Sequence, residues 1–321
     1  MNKVARRTRP NFSSSKLFAQ CKNRRSARGR TVARAAGAVR LPAAVRASVL
    51  AACVAALCLA AGSGLWAQSL HPPDIQRIKD RGVFVVAMTA ADQPPFYYRS
   101  GQGEMKGLDV DIARSIAESL KVDLEFNRSA RSFNDLIPIV AAGEADIALS
   151  KLSRTTARAQ IVAFTDPYIT FHQALIFNRL ELAKKAPTNE DVVRFIKNMT
   201  GKIGVIAKSS YVAYARKNFP NAVVVEFPTW DDIVDAVFAG EILAGYRDEM
   251  EIKKIIRGRP DASLKVKTVV LKDTRDDIAA AVAWRNSHLL YYLNLHLSNL
   301  GLDLNADRLL DRYPDIFDED R

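Results

Sequence analysis

The chain has 321 residues, of which 48% are hydrophobic, so it is long and apolar enough to bury the cores of two ordinary domains. Its net charge of +12 arises from 47 Lys and Arg against 35 Asp and Glu, but thirteen of the cations and none of the acids precede residue 68. The other 254 residues therefore carry a net charge of −1. A body with this balance gives no reason to expect a nucleic acid partner.

Cysteine and histidine usage excludes several classes of enzyme. Cys21, Cys53 and Cys58 all lie before residue 68, so the rest of the chain holds no disulfide, thiolate metal site or cysteine nucleophile. The four histidines lack zinc-motif spacing, and no P-loop, G-x-G-x-x-G or G-x-S-x-G motif occurs. We expect no metal and no cofactor.

Residues 1–67 have the order of a secretory signal peptide. An Arg-rich stretch ends at Arg46, an apolar run covers residues 47–61, and small residues precede Ala67. We predict cleavage after Ala67 and a periplasmic location. An uncleaved membrane anchor and an over-extended reading frame over residues 1–44 are the alternatives. The segment that ends at Cys53 spells a lipid-attachment box, but it begins the apolar run instead of ending it, which disfavours lipidation.

From Leu70 onward, short β-branched runs alternate with segments of helical period, the pattern of an α/β fold. The pattern predicts a strand over 83–87, a helix over 109–120 and a strand over 122–126. These three elements form one β-α-β unit.

A segment that follows this unit occurs twice. Residues 132–144 match residues 229–241 in residue class and spacing. Each copy begins with a hydroxyl residue followed three positions later by an acid, as in a capping box, and closes with Gly143 or Gly240. Coincidence is the alternative, because many α/β proteins repeat helix, glycine and strand. Two similar lobes imply a cleft where the carboxyl ends of both sets of strands meet.

Three motifs resemble the family 3 extracellular solute-binding proteins of amino-acid ABC importers. Residues 107–113, Gly-Leu-Asp-Val-Asp-Ile-Ala, resemble the signature G-F-D-[VI]-D-[LI]-A. Thr155 to Arg158 and the following 164–168, Phe-Thr-Asp-Pro-Tyr, resemble T-x-x-R and F-S-x-P-Y. The resemblance runs from about Ile75 to Leu300 and implies a two-lobed periplasmic-binding-protein fold of type II.

The resemblance also implies an order of domains. Lobe one spans 68–172, lobe two spans 173–268, and residues 269–321 return to lobe one. Two hinge crossings are expected, near 168–178 and 265–272.

Residue roles follow from the same resemblance. Arg158 corresponds to the clamp on the ligand α-carboxylate and Asp248 to the acceptor of the α-ammonium. The remaining candidates are hydroxyl donors, an aromatic cover and a turn residue: Ser150, Ser153, Ser209, Ser210, Phe133 and Phe96. The chemistry fits, because a guanidinium binds a carboxylate with two hydrogen bonds and a desolvated ammonium needs an opposite charge.

Each role has a structural alternative. Arg158 alone is typical of a solvated surface charge, and Asp248 is placed to cap the helix that follows it. Phe133 and Trp230 are both placed to pack their own helices, and we favour packing for Trp230. His172 is expected to be a structural histidine.

Other positions bear on the solute. Members that bind basic amino acids carry an acid and a tyrosine where this chain has Ala90 and Gln93, so lysine and arginine are disfavoured as ligands. Arg154 and Arg247 are additional cations beside the motifs. If either faces the cleft, an acidic or larger anionic solute is favoured.

These observations lead to one main hypothesis and two alternatives. The main hypothesis is a monomeric periplasmic protein that binds a small α-amino acid, or a related small anion, and delivers it to an ABC permease in the membrane without chemistry. A cyclohexadienyl dehydratase of the same fold is the first alternative, which requires Glu249 or His172 as general acid. A sensor for a membrane receptor is the second.

Overall fold

The computed structural model describes Pro42 and residues 70–259 and 261–318. The predicted cleavage site, the three cysteines and, apart from Pro42, the predicted signal peptide lie outside these residues. Among the described helices, none is long and apolar enough to cross a membrane.

The strands and helices alternate along most of the chain. The strands are β1 (Val83–Thr89), β2 (Tyr98–Arg99), β3 (Met105–Lys106), β4 (Asp123–Ala130), β5 (Ile147–Ala148), β6 (Val162–Phe164), β7 (Ile169–Asn178), β8 (Gly201–Ile206), β9 (Ala222–Phe227), β10 (Ala244–Asp248), β11 (Val266–Ile278) and β12 (Ala281–Ala283). The α-helices are α1 (Pro73–Arg81), α2 (Leu108–Leu120), α3 (Leu136–Ala142), α4 (Arg179–Lys185), α5 (Asn189–Lys197), α6 (Ser210–Asn218), α7 (Trp230–Ala239), α8 (Glu249–Gly258), α9 (Ala262–Lys265), α10 (Ser287–Asn299) and α11 (Ala306–Arg312). Two short 3-10 helices cover Arg158–Gln160 and Pro314–Phe317.

The first large sheet has the strand order β4-β1-β5-β12-β6, and we call this sheet and its helices lobe one. Strand β1 pairs in parallel with β4 and β5, while β12 pairs antiparallel with β5 and β6. Helices α1, α2, α10 and α11 bury their apolar residues in one cluster with strand residues of this sheet, and α3 packs in a second cluster. Burying both faces explains why the inner strands β1, β5 and β12 read as apolar runs, whereas the edge strand β4 carries charged and polar residues.

The second large sheet has the order β11-β7-β10-β8-β9, and we call this sheet and its helices lobe two. Strands β8, β9 and β10 are parallel, whereas β7 runs antiparallel to β10 and β11. Helices α4, α5 and α6 pack in one cluster, and α7, α8 and α9 pack in another.

Two adjacent chain segments join the lobes. The chain leaves β6 at Phe164 and joins lobe two at Ile169, and it leaves β11 at Ile278 and returns at Ala281. The segments are hydrogen-bonded together, because the Tyr168 amide donates to the Ile278 carbonyl at 3.0 Å. The lobe limits expected at 172/173 and 268/269 fall inside β7 and β11, so the change of sheet occurs a few residues before the first limit and about ten after the second.

The two repeat copies differ at their first helix turn. In the second copy Thr229 and Asp232 form the predicted capping box, and α7 begins at Trp230. In the first copy the Ser132 hydroxyl still accepts the Asp135 amide at 3.3 Å, but α3 begins only at Leu136, and no capping box closes it. The physical reason is Pro138, which has no amide hydrogen and whose ring crowds the carbonyl four residues earlier, so the first turn cannot be fully helical.

The Gly-Leu-Asp-Val-Asp-Ile-Ala motif forms the start of α2. Gly107 has φ +116°, and a β-carbon there would lie 2.4 Å from the Phe96 carbonyl oxygen. The Asp109 side chain is fully buried and accepts the Lys151 amide at 2.7 Å and the Tyr168 hydroxyl at 2.7 Å. Through the Asp109 carboxylate, the motif therefore fixes the backbone of the turn that follows β5.

Candidate ligand-binding site

A small cavity lies between the lobes at the carboxyl ends of β5, β8 and β10. Its volume is only about 10 Å³, because charged and aromatic side chains occupy most of the space. Lobe one contributes Phe133, Lys151, Ser153 and Arg158, lobe two contributes Ser209, Ser210, Tyr211, Arg247 and Asp248, and strand β11 contributes Asp276. Convergence of strand ends from two facing sheets is the arrangement in which α/β proteins bind small molecules.

Arg158 is a buried cation on the wall of this cavity, with 6% of its surface exposed. Its Nη1 donates to the Ser153 carbonyl at 2.8 Å and its Nη2 to Oδ1 of Asn134 at 2.9 Å. No carboxylate of the described residues lies within 4 Å of it. Burial lowers the pKa of Arg158 to about 10, and Tyr214 and Asp276 partly oppose this shift. The guanidinium is thus held in place by neutral groups and keeps its charge for an anion.

The serines connect the two lobes across the cavity. The Ser210 hydroxyl lies 3.0 Å from the Ser153 hydroxyl, which joins the first turn of α6 to the segment after β5. Ser209 precedes α6 and donates to the Ile206 carbonyl at 2.6 Å. The amino end of α6 therefore faces the cavity, and helix amino ends favour negative charge.

Asp248 is on the cavity wall, but its carboxylate already has partners. Its Oδ2 lies 2.9 Å from Nζ of Lys151, and its Oδ1 accepts the Glu251 amide at 3.1 Å. The second contact is the helix cap that the sequence offers as an alternative role. Lys151 also contacts Oε1 of Glu251 at 2.8 Å, so one lysine of lobe one binds two buried acids of lobe two.

Arg247 lies between two aromatic rings over the same cavity. Its guanidinium carbon is 5.6 Å from the centre of the Phe133 ring and 6.0 Å from that of Tyr211, and only 3% of the residue is exposed. Its Nη2 donates to Oε1 of Gln93 at 3.2 Å. Its Nε and Nη1 are buried without a hydrogen-bond partner among the described residues. Burial would lower the pKa of Arg247, but Glu251 and Asp248 outweigh it and raise this pKa.

Asp276 enters the cavity from the strand that joins the lobes. Its Oδ2 accepts the Tyr211 hydroxyl at 3.0 Å, and its Oδ1 has no hydrogen-bond partner in the described part of the chain. Burial, with a contribution from Asp248, raises its pKa to about 6.

Two of the eight candidate residues do not line the cavity. Ser150, which follows β5, is fully buried inside lobe one, where its hydroxyl donates to the Tyr97 hydroxyl at 2.7 Å. Phe96 lies in the lobe-one core, 6.1 Å from the Phe171 ring in an edge-to-face arrangement. Its ring is 5.2 Å from Nζ of Lys151, so it acts on the cavity only through that lysine.

The other residues considered from the sequence also differ in whether they face the cavity. Arg247 faces the cavity, whereas Arg154 is exposed and does not line it. Trp230 is buried in the core of lobe two, as its packing role predicts. Nδ1 of His172 is 2.9 Å from the Thr274 carbonyl, in keeping with a structural histidine.

Sequence reasoning missed Lys151, Tyr211 and Asp276. Lys151 carried a readable signal, because a lysine directly after a buried strand and between two candidate serines is unusual for a packing residue. Asp276 carried none, since β11 holds several charged residues of which only this one is fully buried.

A larger cleft adjoins the cavity at Phe133. Its volume is about 490 Å³, within the usual range for small-molecule sites. The walls include the loop after β1 with Gln93, Ser132 from lobe one, and Ile206, Thr229 and Trp230 from lobe two. Once the lobes separate enough to admit a solute, the cleft can therefore hold its body while a charged head group lies against the wall of the small cavity. No cluster of three or more metal-ligating side chains occurs in the described ranges.

The sequence pattern that defines the bacterial extracellular solute-binding proteins, family 3, matches residues 85–313. The chain belongs to this family. Both the resemblance of the motifs and the expected two-lobed α/β fold are confirmed.

Relatives within family 3 are named as amino-acid-binding proteins. The histidine-binding periplasmic protein of Escherichia coli (strain K12) is 28% identical over 159 residues, which are 49% of this chain and 57% of that protein. The match thus spans little more than half the length of that relative. The ABC transporter arginine-binding protein 1 of the same strain is 24% identical over 228 residues, 70% of this chain and 88% of that protein.

Solved structures agree on the fold. An ancestral amino acid-binding protein, described as a precursor of cyclohexadienyl dehydratase, has a TM-score of 0.59 at 25% identity and covers 74% of this chain and 98% of its own. A mutant of the arginine-binding protein of T. maritima has a TM-score of 0.59 at 26% identity, with 75% and 99% covered.

Proposed function

We propose that this chain is the periplasmic substrate-binding component of an ABC importer and that it binds a small carboxylate-bearing solute between its two lobes. The solute class is an α-amino acid or a related small anion. The proposed ligand-binding residues on the cavity wall are Arg158, Ser153, Ser209, Ser210, Phe133 and Asp248.

The observation that carries the proposal is the state of Arg158. A buried guanidinium without an acidic partner is costly unless an anion binds it, and its planar donors suit a carboxylate. Hydroxyl groups of Ser153 and Ser210 lie on the same wall and supply neutral donors to such an anion. Arg158 is therefore the proposed anchor of the solute.

The geometry favours binding without chemistry. A dehydratase needs a general acid at the leaving hydroxyl, and the sequence offered His172 and Glu249 for that role. Neither residue lines the cavity, and Oε1 of Glu249 accepts the His172 amide at 3.1 Å. The named relatives are likewise binding proteins.

Isothermal titration with single amino acids and with the matching acids that lack the amine tests the solute class. In Arg158→Ala we expect affinity to fall by two to four decades, because an unpaired desolvated charge costs about 3 to 5 kcal/mol. Arg154→Ala is the matched control, since this arginine lies on the same segment but is exposed. Equal affinity of the Arg158→Ala variant and the control would contradict the proposal.

Export and partnership need separate measurements. Intact mass of the protein from the periplasmic fraction should correspond to a chain that begins near Gln68. Uptake of the labelled solute by cells should depend on this chain and on a membrane permease. A protein retained in the cytoplasm with its full mass would contradict the proposed location.

A further inference from the structure

Cations outnumber acids around the small cavity. Three cationic side chains and two carboxylates line it: Lys151, Arg158, Arg247, Asp248 and Asp276. Behind this wall, Glu251 is paired with Lys254 as well as with Lys151. A zwitterionic solute adds no net charge and would leave this excess uncompensated. A solute with net negative charge would balance it.

The two acids nearest the centre are already neutralised within the protein. Lys151 Nζ lies 2.9 Å from Asp248 and 2.8 Å from Glu251, and the side chains of all three are at most 2% exposed. Lys254 contacts the other Glu251 oxygen at 2.7 Å. An amine of the solute would therefore compete with an ammonium that the protein supplies at the same carboxylates.

Asp276 is the remaining acid on the wall. One of its oxygens accepts the Tyr211 hydroxyl, and the other is unpartnered among the described residues. It is the acceptor on this wall that remains for an amine, and burial raises its pKa to about 6, so it takes up a proton more readily than an ordinary aspartate.

Hydrogen-bond donors on the cavity wall, in contrast, remain without partners. Arg247 lines the cavity, and only 3% of its surface is exposed. Two of its guanidinium nitrogens, Nε and Nη1, have no hydrogen-bond partner in the part of the chain described. The Nε of Arg247 lies 3.5 Å from Oδ2 of Asp248, whereas Arg158 has no carboxylate within 4 Å in the described part of the chain. Buried donors are normally satisfied, so the unpartnered donors of Arg247 point to an acceptor group of a solute. The donors of Arg158 are held by neutral groups, so its buried charge points to an anion.

The backbone of Lys151 shows that its side chain is placed at a cost. Its φ of +47° lies in the left-handed region, which favours glycine and is strained for a lysine. Asp109 holds this turn by accepting the Lys151 amide at 2.7 Å. The positive charge that Lys151 brings to the acids of lobe two is the best explanation for its strained backbone.

We infer that Lys151 supplies from within the protein the positive charge that an amino acid would bring as its ammonium, so that the cavity selects an organic acid without a free amine. One carboxylate of the solute binds Arg158, and a second acceptor group binds Arg247. This inference rests on the proposed function of the cavity and specifies its solute class.

Matched pairs of solutes test the inference. Succinate and aspartate differ only in the amine, as do glutarate and glutamate, and propionate and alanine. Titration of the full protein with each pair should show the acid that lacks the amine binding at least about tenfold more tightly. Equal or tighter binding of the amino members overturns the inference and leaves the proposed function intact. Absence of binding by every member overturns both.

Substitution of Lys151 should reverse the preference. In Lys151→Ser the two acids lose their internal cation, so the amino member of a pair should gain at least about tenfold relative to its partner. In Lys151→Arg the charge is kept, so the preference of the parent should remain, and this variant decides the question if Lys151→Ser does not fold. A preference that is the same in Lys151→Ser as in Lys151→Arg overturns the inference.

Asp276→Asn removes the last available acceptor for an amine. Under the inference, affinity for the preferred acid stays the same or increases in this variant, because a negative charge that faces the solute is lost. A loss of at least tenfold would show that the solute uses Asp276 as an amine acceptor and would overturn the inference.

Discussion

Lys151 and Asp248 form an ion pair across the two lobes, with Nζ and Oδ2 2.9 Å apart. Lys151 lies in the turn after β5, and Asp248 is the last residue of β10. Both side chains are almost completely buried, at 2% and 1% exposure. The ion pair therefore holds the two lobes in their closed arrangement and also contributes to the charge of the cavity.

Lys151→Ala should destabilise the protein strongly. Removing one partner leaves Asp248 and Glu251 buried with one cation fewer, and breaking a buried pair costs about 3 to 5 kcal/mol. Urea unfolding measures this loss. Lys184→Ala is the control, because its pair with Glu181 is exposed and should contribute less than about 1 kcal/mol. Similar losses in the two variants would contradict the buried network.

Gly107→Ala should destabilise lobe one more than a second glycine substitution does. At Gly107 a β-carbon would lie 2.4 Å from one backbone oxygen and 2.6 Å from another, so the chain must move. At Gly103, which also has a positive φ of +81°, nothing lies within 4 Å. We expect Gly103→Ala to cost about 1 kcal/mol for its backbone conformation alone. The Gly107 variant should lose clearly more free energy of unfolding, and equal losses would exclude the close approach.

Local sequence patterns predicted much of the fold but less of the cavity. The repeat was visible because residues 132–144 and 229–241 keep the same spacing, yet Pro138 changed where the first copy becomes helical. Phe96 and Ser150 lie in turns after strands, and which way their side chains point depends on the folded loop, which the sequence pattern does not define. The charge network could not be predicted, since Lys151 and Asp248 are 97 positions apart and meet only when the lobes close.

Stability should increase as the pH falls from 8 to 5. Burial raises the pKa of Asp109 to about 7 and that of Asp276 to about 6, well above their ordinary values near 3.8. At these two carboxyls the folded protein therefore takes up protons in this window that the unfolded chain does not, which adds on the order of 1 to 3 kcal/mol. His296, whose pKa burial lowers, opposes part of this gain. Acids whose pKa is lowered, such as Asp277 and Asp307, decrease the stability only at lower pH, where they become protonated.

Unfolding midpoints at several pH values measure this dependence. In Asp109→Asn the increase between pH 8 and pH 5 should be smaller, whatever the absolute stability of the variant. Glu118→Gln changes an exposed acid of the same helix and should leave the slope unchanged. A stability that falls steadily from pH 8 to pH 5 would contradict the raised pKa values.

A disulfide between positions 153 and 210 should lock the lobes and block exchange of the solute. The two hydroxyl oxygens are 3.0 Å apart and belong to different lobes, which is close enough for a disulfide after small side-chain rotations. A cavity of about 10 Å³ cannot admit a solute unless the lobes separate, and the two segments that join them are the natural hinge. We expect Ser153→Cys/Ser210→Cys, made in a chain with Cys21, Cys53 and Cys58 replaced by serine, to exchange bound solute at least about tenfold more slowly when oxidised. The same variant after reduction is the control, because it carries identical substitutions. Equal exchange rates in the two redox states would show that the solute reaches its site without separation of the lobes.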